Sequence, residues 1–306
     1  MRPFPQIQYI PLTLTISFEK PVEYEVPPAF ILRSILGLNL HDICCIAKRN
    51  TCPECEHNGS CIYAQVFDTI LQKDNQMYHG RDRAPHPFIL RMDNWFMPKE
   101  DTLTFTVLLL GNAIAYTSYI YGAFLRGQFR GFGRDRIRYT IESISSDGVE
   151  LLEDAGFLNY QTAIKNWVPS NQQQDRTYEG SLFIRFQSPL RFKYHGAYAD
   201  TFTSLSLFSC FKRRLETLCL LYGIVEEVQV LPLKFEVLHQ ITEWKEYPHY
   251  STRQRRNMFL GGVVGNIELK GEFTQYELDL LSFNELFQAG KNTSFGFGKM
   301  SFWRYF

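Results

Sequence analysis

The chain has no apolar run of about 18 residues, which excludes a membrane-spanning helix at the level of sequence. It has no signal-peptide pattern either. The opening MRPFPQIQYIPLTLTI puts prolines where a secretory h-region needs an apolar helix, and no small-residue cleavage site follows. A cytoplasmic protein is expected. Net charge is also missing: 32 Lys and Arg balance 32 Asp and Glu, so the whole-chain charge announces no polyanionic partner. Nor is there an evident pair of carboxylates placed for catalytic metals, which points away from metal-dependent hydrolysis.

What is present suggests about two domains. The chain has 306 residues, 45% hydrophobic and 15% aromatic, enough for two cores. Residues 7–18 alternate and are rich in Ile, Leu and Thr, a strand pattern. Pro27 and Pro28 precede a helical spacing at Phe30, Ile31, Ser34, Ile35 and Leu38. Strands follow at FILRM and at 103–110, a helix at 113–128, and a strand at 136–144. That order, βαββαβ, is the ferredoxin-like split unit. The polar NQQQD at 171–175 marks a linker within 151–180. The order then repeats: strand 181–187, helix 201–222, strands 234–241 and 262–270, helix 273–289, strand 295–306. The expected class is α+β, with tandem ferredoxin-like domains at 1–150 and 181–306.

Each half has a Gly-Phe-Gly between its second helix and last strand, at 131–133 and 296–298. Glycine allows positive φ and close backbone approach. Successive amides in such a loop can line a concavity for an anion such as phosphate. In GKNTSFGFGK, residues 290–299, the candidates are Lys291, Thr293, Ser294, Gly296, Gly298 and Lys299. The plain alternative is a tight helix-to-strand turn. Charge is concentrated beside these glycines. Residues 126–138 hold five arginines and one aspartate, Arg134 and Arg136 among them, and Arg253, Arg255 and Arg256 cluster within four residues.

Five of the seven cysteines lie between Cys44 and Cys61. Cys52-x2-Cys55 is the tight half of a zinc site, and Cys45 and Cys61 can complete four thiolates, with His57 a substitute. Four protein ligands leave no open position, so such a Zn2+ would be structural. The alternative is a set of reduced, metal-free cysteines. Cys210 and Cys219 read as ordinary buried residues of a helix.

Taken together these stretches resemble a family. Two ferredoxin-like domains with a C-terminal Gly-x5-Gly-aromatic-Gly loop look like the RAMP proteins of CRISPR systems. Within them the chain is most similar to the Cas-six pre-crRNA-processing endoribonucleases. The residues carrying this are Leu32-Arg33-Ser34-Ile35-Leu36-Gly37, the spacing Cys45-x6-Cys52-x2-Cys55-x5-Cys61-x-Tyr63, APHPFIL at 84–90, GFGRDRIRY at 131–139, SPLRFK at 188–193 (ending in Lys193), YSTRQRRNMFLGGVVG at 250–265, and GKNTSFGFGK. The resemblance implies a cut in CRISPR repeat RNA without a catalytic metal, with crRNA and other Cas proteins as partners and no membrane.

That reaction uses the RNA's own 2′-OH as nucleophile. It needs in-line orientation, a base, an acid for the departing 5′-oxygen, and stabilisation of the charged phosphorane. Histidine serves as acid or base near neutrality. Of seven histidines, position in the family favours His41, after the first helix; His249 beside the basic cluster and His195 in a loop follow. His79 and His86 read as turn residues and His239 as a strand residue. Arg253, Arg255 and Arg256 suit phosphate contact. Two other functions fit the same chain: a non-catalytic RAMP subunit that holds crRNA, and a zinc-stabilised scaffold that binds protein.

Overall fold

A computed structural model describes residues 6–47, 52–69, 84–96, 99–153, 156, 158–170, 177–224, 232–251 and 256–305. The chain divides into two compact units, Gln8–Lys165 and Met1–Ile7 with Asn166–Phe306. NQQQD, His79, Arg253 and Arg255 lie outside the described residues.

The first unit is built on β1 (Gln6–Glu23), where alternation decides the two faces. Ile10, Leu12, Leu14 and Ile16 are buried in the core. On the other face Thr13 and Thr15 pair with Thr106 and Thr104 across the strands, each at 3.0 Å. The chain continues through α1 (Pro28–Cys44), α2 (Ile62–Phe67), β2 (Phe88–Met92), β3 (Lys99–Leu110), α3 (Thr117–Arg130), β4 (Tyr139–Ser146), β5 (Val149–Glu150) and β6 (Lys165–Trp167). The sheet order is β2-β3-β1-β4-β5, with β1 between β3 and β4 as the split unit requires. The expected strand at 136–144 starts only at Tyr139. Residues 131–138 instead close a tight turn through the Phe132–Ile137 bridge.

The second unit repeats the plan: β7 (Thr177–Leu190), β8 (Lys193–Tyr194), β9 (Ala197–Tyr198), α4 (Ser204–Tyr222), β10 (Gly223–Ile224), β11 (Lys234–Ser251), β12 (Arg256–Thr274), α5 (Gln275–Phe287) and β13 (Met300–Tyr305). Its sheet order is β11-β12-β7-β13. The helices start where threonines cap them. Thr203 and Ser206 exchange hydrogen bonds of 2.9 and 3.2 Å, and the Thr274 amide donates to Glu277 Oε2 at 2.6 Å. The helices expected from 201 and 273 therefore begin at 204 and 275.

β11 and β12 run well past their expected ends. β7 pairs with β12 only from Val263 onward, so 245–251 and 256–262 form a two-stranded ribbon. Pro248 is tolerated there because β11 is an edge strand, where a missing N–H costs no ladder bond. The last strand is shorter than expected. Residues 295–299 belong to the loop before it, because Gly298 takes a φ of 81° that no strand residue adopts.

Candidate functional site

The glycine-rich loop sits between α5 and β13, and its shape is fixed from inside. Asn292 is left-handed (φ 64°), Thr293–Phe295 make one 3-10 turn, and Gly296 (φ 82°) and Gly298 (φ 81°) reverse the chain. Phe297 is fully buried as the plug of the turn. The loop amides are largely consumed by protein. Phe295 and Gly296 donate to the carbonyls of Asn292 and Thr293 at 2.8 and 3.0 Å, and Gly298 donates to Pro189 at 3.0 Å. The Lys299 amide reaches Ser188 Oγ at 2.8 Å. These bonds brace the turn from within. Thr293 and Ser294 are buried, and Lys291, Asn292, Phe295 and Lys299 are the partly exposed side chains.

Three residues that sequence reasoning missed brace this loop. Arg214 of α4 is buried, and burial pulls its guanidinium down to about 10. It donates to the carbonyls of Gln288 (2.9 Å) and Phe287 (3.0 Å) and to Thr293 Oγ1 (2.8 Å). Those carbonyls end α5, where a helix leaves acceptors without partners. The Gln288 amide donates to Gly296 and Phe297 carbonyls at 3.0 and 2.8 Å, and Ser188 Oγ donates to Gly296 at 2.7 Å. A sequence signal existed for one of them: Arg214 continues the apolar stripe Leu207, Phe211, Leu218, and a charge in such a stripe needs buried acceptors.

Basic and aromatic groups border the loop. Lys291 pairs its backbone with Arg191, its amide donating to the Arg191 carbonyl at 2.9 Å. The Arg191 guanidinium donates to the Gly261 carbonyl at 2.6 Å and lies 4.0 Å over Tyr198. Lys193 lies 4.8 Å from the same ring. His195 turns the β8–β9 hairpin with φ 47°, exposed and edge-on to Tyr194. On the ribbon, His249 meets Phe295 of the loop edge-on, ring centroids 4.9 Å apart. Arg256 is exposed at the start of β12. His239 is an exposed β11 residue at a register shift.

The cysteine segment forms a second cluster, in the first unit. Cys45, Cys52, Cys55 and Cys61 line one cavity of about 20 Å³ together with His41, Asn58, Tyr63 and Ala64, room for about one water-sized group. Backbone bonds shape this knuckle. Cys55 donates to Cys52 at 3.1 Å, Cys61 to His57 at 2.9 Å, and Cys45 to His41 at 2.8 Å. Asn58 Nδ2 also reaches the Cys52 carbonyl, at 2.7 Å. Among the described residues, no three His, Cys, Asp or Glu side chains are arranged to hold a metal ion. His57 is not among the lining residues. His41, in the last turn of α1, is partly exposed, edge-on to Tyr63 at 4.8 Å and 4.0 Å from Asp42. Nearby, Arg33 is partly buried over the Phe67 ring and hydrogen-bonds His86 Nε2 at 2.9 Å, so His86 belongs to a packed cluster. Arg134 and Arg136 are exposed on the first glycine turn, while Cys210 and Cys219 are buried in α4.

Two βαββαβ units in tandem, the second closed by a braced glycine-rich loop with lysines at its rim, define a tandem ferredoxin-like protein. The sequence comparisons narrow this. Residues 184–300 match the family model described as CRISPR-associated endoribonuclease Cas6. Residues 6–162 match a second model, AF_1859_N, described as an N-terminal domain. The Cas6 model thus matches the second half of the chain, over residues 184–300.

Comparison with curated proteins finds no match. Among solved structures, a chain of a partial Cas6-RT-Cas1–Cas2 complex is similar at TM-score 0.56 and 14% identity, covering 100% of this chain and 47% of that one. Thermus thermophilus Cas6 (TTHB231) aligns at TM-score 0.51 and 14% identity, covering 97% and 99% of the two chains. The product complex of Cas6 (TTHA0078) gives TM-score 0.51 and 15% identity over 97% and 99%. The chain thus spans about half the length of the first of these relatives and nearly all of the other two. At such identities the likeness establishes the shared fold.

Proposed function

We propose that this protein cleaves CRISPR repeat RNA by attack of a 2′-OH on the adjacent phosphate, with no catalytic metal, to release mature crRNA. The observation that carries the reading is the match of residues 184–300 to the Cas6 endoribonuclease model. The braced loop supports it. A loop that is already rigid pays no ordering cost when it positions a phosphodiester, and orientation is a large part of this chemistry. Lys291, Lys299, Lys193, Arg256, Arg253 and Arg255 supply cations for the backbone, with Arg134 and Arg136 on the other unit. His41 is the candidate acid or base, held by Tyr63 and Asp42; His249 and His195 are the alternatives. Assembly with other Cas proteins belongs to the same proposal.

Cys45, Cys52, Cys55 and Cys61 would hold a structural Zn2+. The donor set supports this: four thiols lining one cavity of about 20 Å³ are soft ligands for one borderline-soft ion. When bound, the ion would tie the end of α1 to α2 and take no part in the cut.

The test is incubation with a CRISPR repeat RNA in excess EDTA, with and without a 2′-deoxy nucleotide just upstream of the cut. Cleavage to a 2′,3′-cyclic phosphate, or to the phosphate from its opening, is expected, and the deoxy substrate should bind and remain intact. A cut deoxy substrate overturns the mechanism. So does loss of cutting in EDTA that Mg2+ restores while zinc content stays constant.

A further inference from the structure

The first glycine turn and its arginines have no part in the loop described above, yet five arginines fall within residues 126–138. α3 buries Thr117, Ile120, Ala123, Phe124 and Gly127. Its opposite face carries Tyr119, 42% exposed, and Phe129, 81% exposed, the most open large apolar side chain of the described residues. Tyr119, Gly122, Arg126 and Phe129 are spaced three, four and three residues apart, which puts them on one stripe. The two rings stand about 15 Å apart along the axis, ten residues at ~1.5 Å each. Gly122 leaves the floor between them open: a Cβ there would meet only Ile43 Cδ1, at 4.0 Å.

The stripe runs into a turn that is built to hold its shape. Phe132 and Ile137 exchange backbone bonds of 2.7 and 3.1 Å, and both side chains are buried. That pins the tip, so Arg134, Asp135 and Arg136 all face solvent, Arg136 with φ 51°. Arg138 follows, exposed on the way into β4. Arg130 pairs with Asp42. Arg126, Arg134, Arg136 and Arg138 have no ion pair among the described residues. Four such arginines less Asp135 leave a local excess of three positive charges, in a chain whose net charge is zero. Glu19, whose amide donates to the Arg138 carbonyl at 3.0 Å, is offset by Lys20 beside it.

We propose that the outer face of α3 and the 131–138 turn form a separate binding surface for single-stranded RNA, a few nucleotides long. Guanidiniums suit phosphates, and bases freed from a duplex stack on exposed aromatic rings whatever their sequence. Bases paired in an A-form helix cannot reach such rings, which favours single strands over duplex. The choice of RNA rests on the reading of the chain as an RNA-processing protein; the surface itself does not depend on the cleavage chemistry.

The experiment uses the full chain and a fluorescent oligouridylate of twelve nucleotides, one of them 4-thiouridine. Photocrosslinks should map to peptides within 119–138. Phe129→Ala should weaken binding at least about fivefold, the lower end of what one stacked base contributes. Replacing Arg126, Arg134, Arg136 and Arg138 by Ala should flatten the salt dependence by about 0.7 for each phosphate that an arginine no longer neutralises. An RNA duplex of the same length should not respond to Phe129→Ala. These residues are exposed, so unchanged melting temperatures serve as the folding control. Unchanged affinity and salt slope, or crosslinks only elsewhere, overturn the proposal and leave a protein-binding face. Sensitivity to the arginines alone overturns it too, because a merely basic patch needs no ring. A chain that binds the oligouridylate through this face but never cuts repeat RNA sinks the cleavage reading and leaves this one standing.

Discussion

At the scale of single residues the histidines differ in what surrounds them. His41 is held edge-on by Tyr63 at the end of α1, His249 meets Phe295 of the glycine loop, and His195 stands exposed in a hairpin turn. A general acid or base has to keep its orientation while remaining open to a proton. His41 and His249 meet that description; His195 has one ring contact and solvent. His41→Ala should slow cleavage of a repeat by about 10²–10⁴-fold, with RNA affinity nearly unchanged. Single-turnover rates and equilibrium binding on the same RNA would check it. Normal cutting by His41→Ala, with loss in His249→Ala, would keep the mechanism and move the acid or base to the ribbon.

At the scale of elements the two Gly-Phe-Gly turns look alike in sequence and differ in their surroundings. A Cβ at Gly298 would collide with the carbonyl oxygen of Ala289, a neighbour held in place because its N–H donates to the Gly298 carbonyl at 2.8 Å. A Cβ at Gly133 would meet only Ile31 Cδ1, at 3.8 Å. Both positions have positive φ, 81° and 69°, so alanine carries a backbone cost of roughly 1–2 kcal/mol at either. At Gly298 the collision adds to it. Gly133→Ala should therefore lower stability by about 1–2 kcal/mol in urea, and Gly298→Ala by clearly more, with loss of RNA binding. Equal effects would mean that the C-terminal loop is less rigid than its hydrogen bonds indicate.

At the scale of the whole molecule the cysteine segment bears on stability. Unit Gln8–Lys165 has its own core of β1, β3, α1 and α3 side chains, so the segment decorates a folded unit. Protein purified without chelator should hold about one zinc per chain by elemental analysis. In peptides such sites contribute roughly 10–16 kcal/mol, but a unit with its own core should survive removal. A chelator should therefore lower the melting temperature and leave a folded protein. Free thiols with no zinc would sink the idea. No helix among the described residues is long and apolar enough to cross a membrane.

Alternation in β1, the 3.6-residue spacing of α1 and the glycine turns sufficed to read two ferredoxin-like units from the sequence, because periodicity and turn chemistry are local. The cysteine spacing likewise placed four thiols on one short segment. The sequence could not say where a strand would end when its continuation pairs with one neighbour only, as in the β11–β12 ribbon. Beyond the charge in the apolar stripe at Arg214, it carried no notice that Ser188, Arg214 and Gln288 would converge on the glycine loop, since these lie as far as 111 residues from their partners. Nor could it show that the amides of Gly296, Gly298 and Lys299 would find their acceptors inside the protein. Those outcomes depend on which buried donors and acceptors the packed chain brings together, and only the tertiary structure decides that.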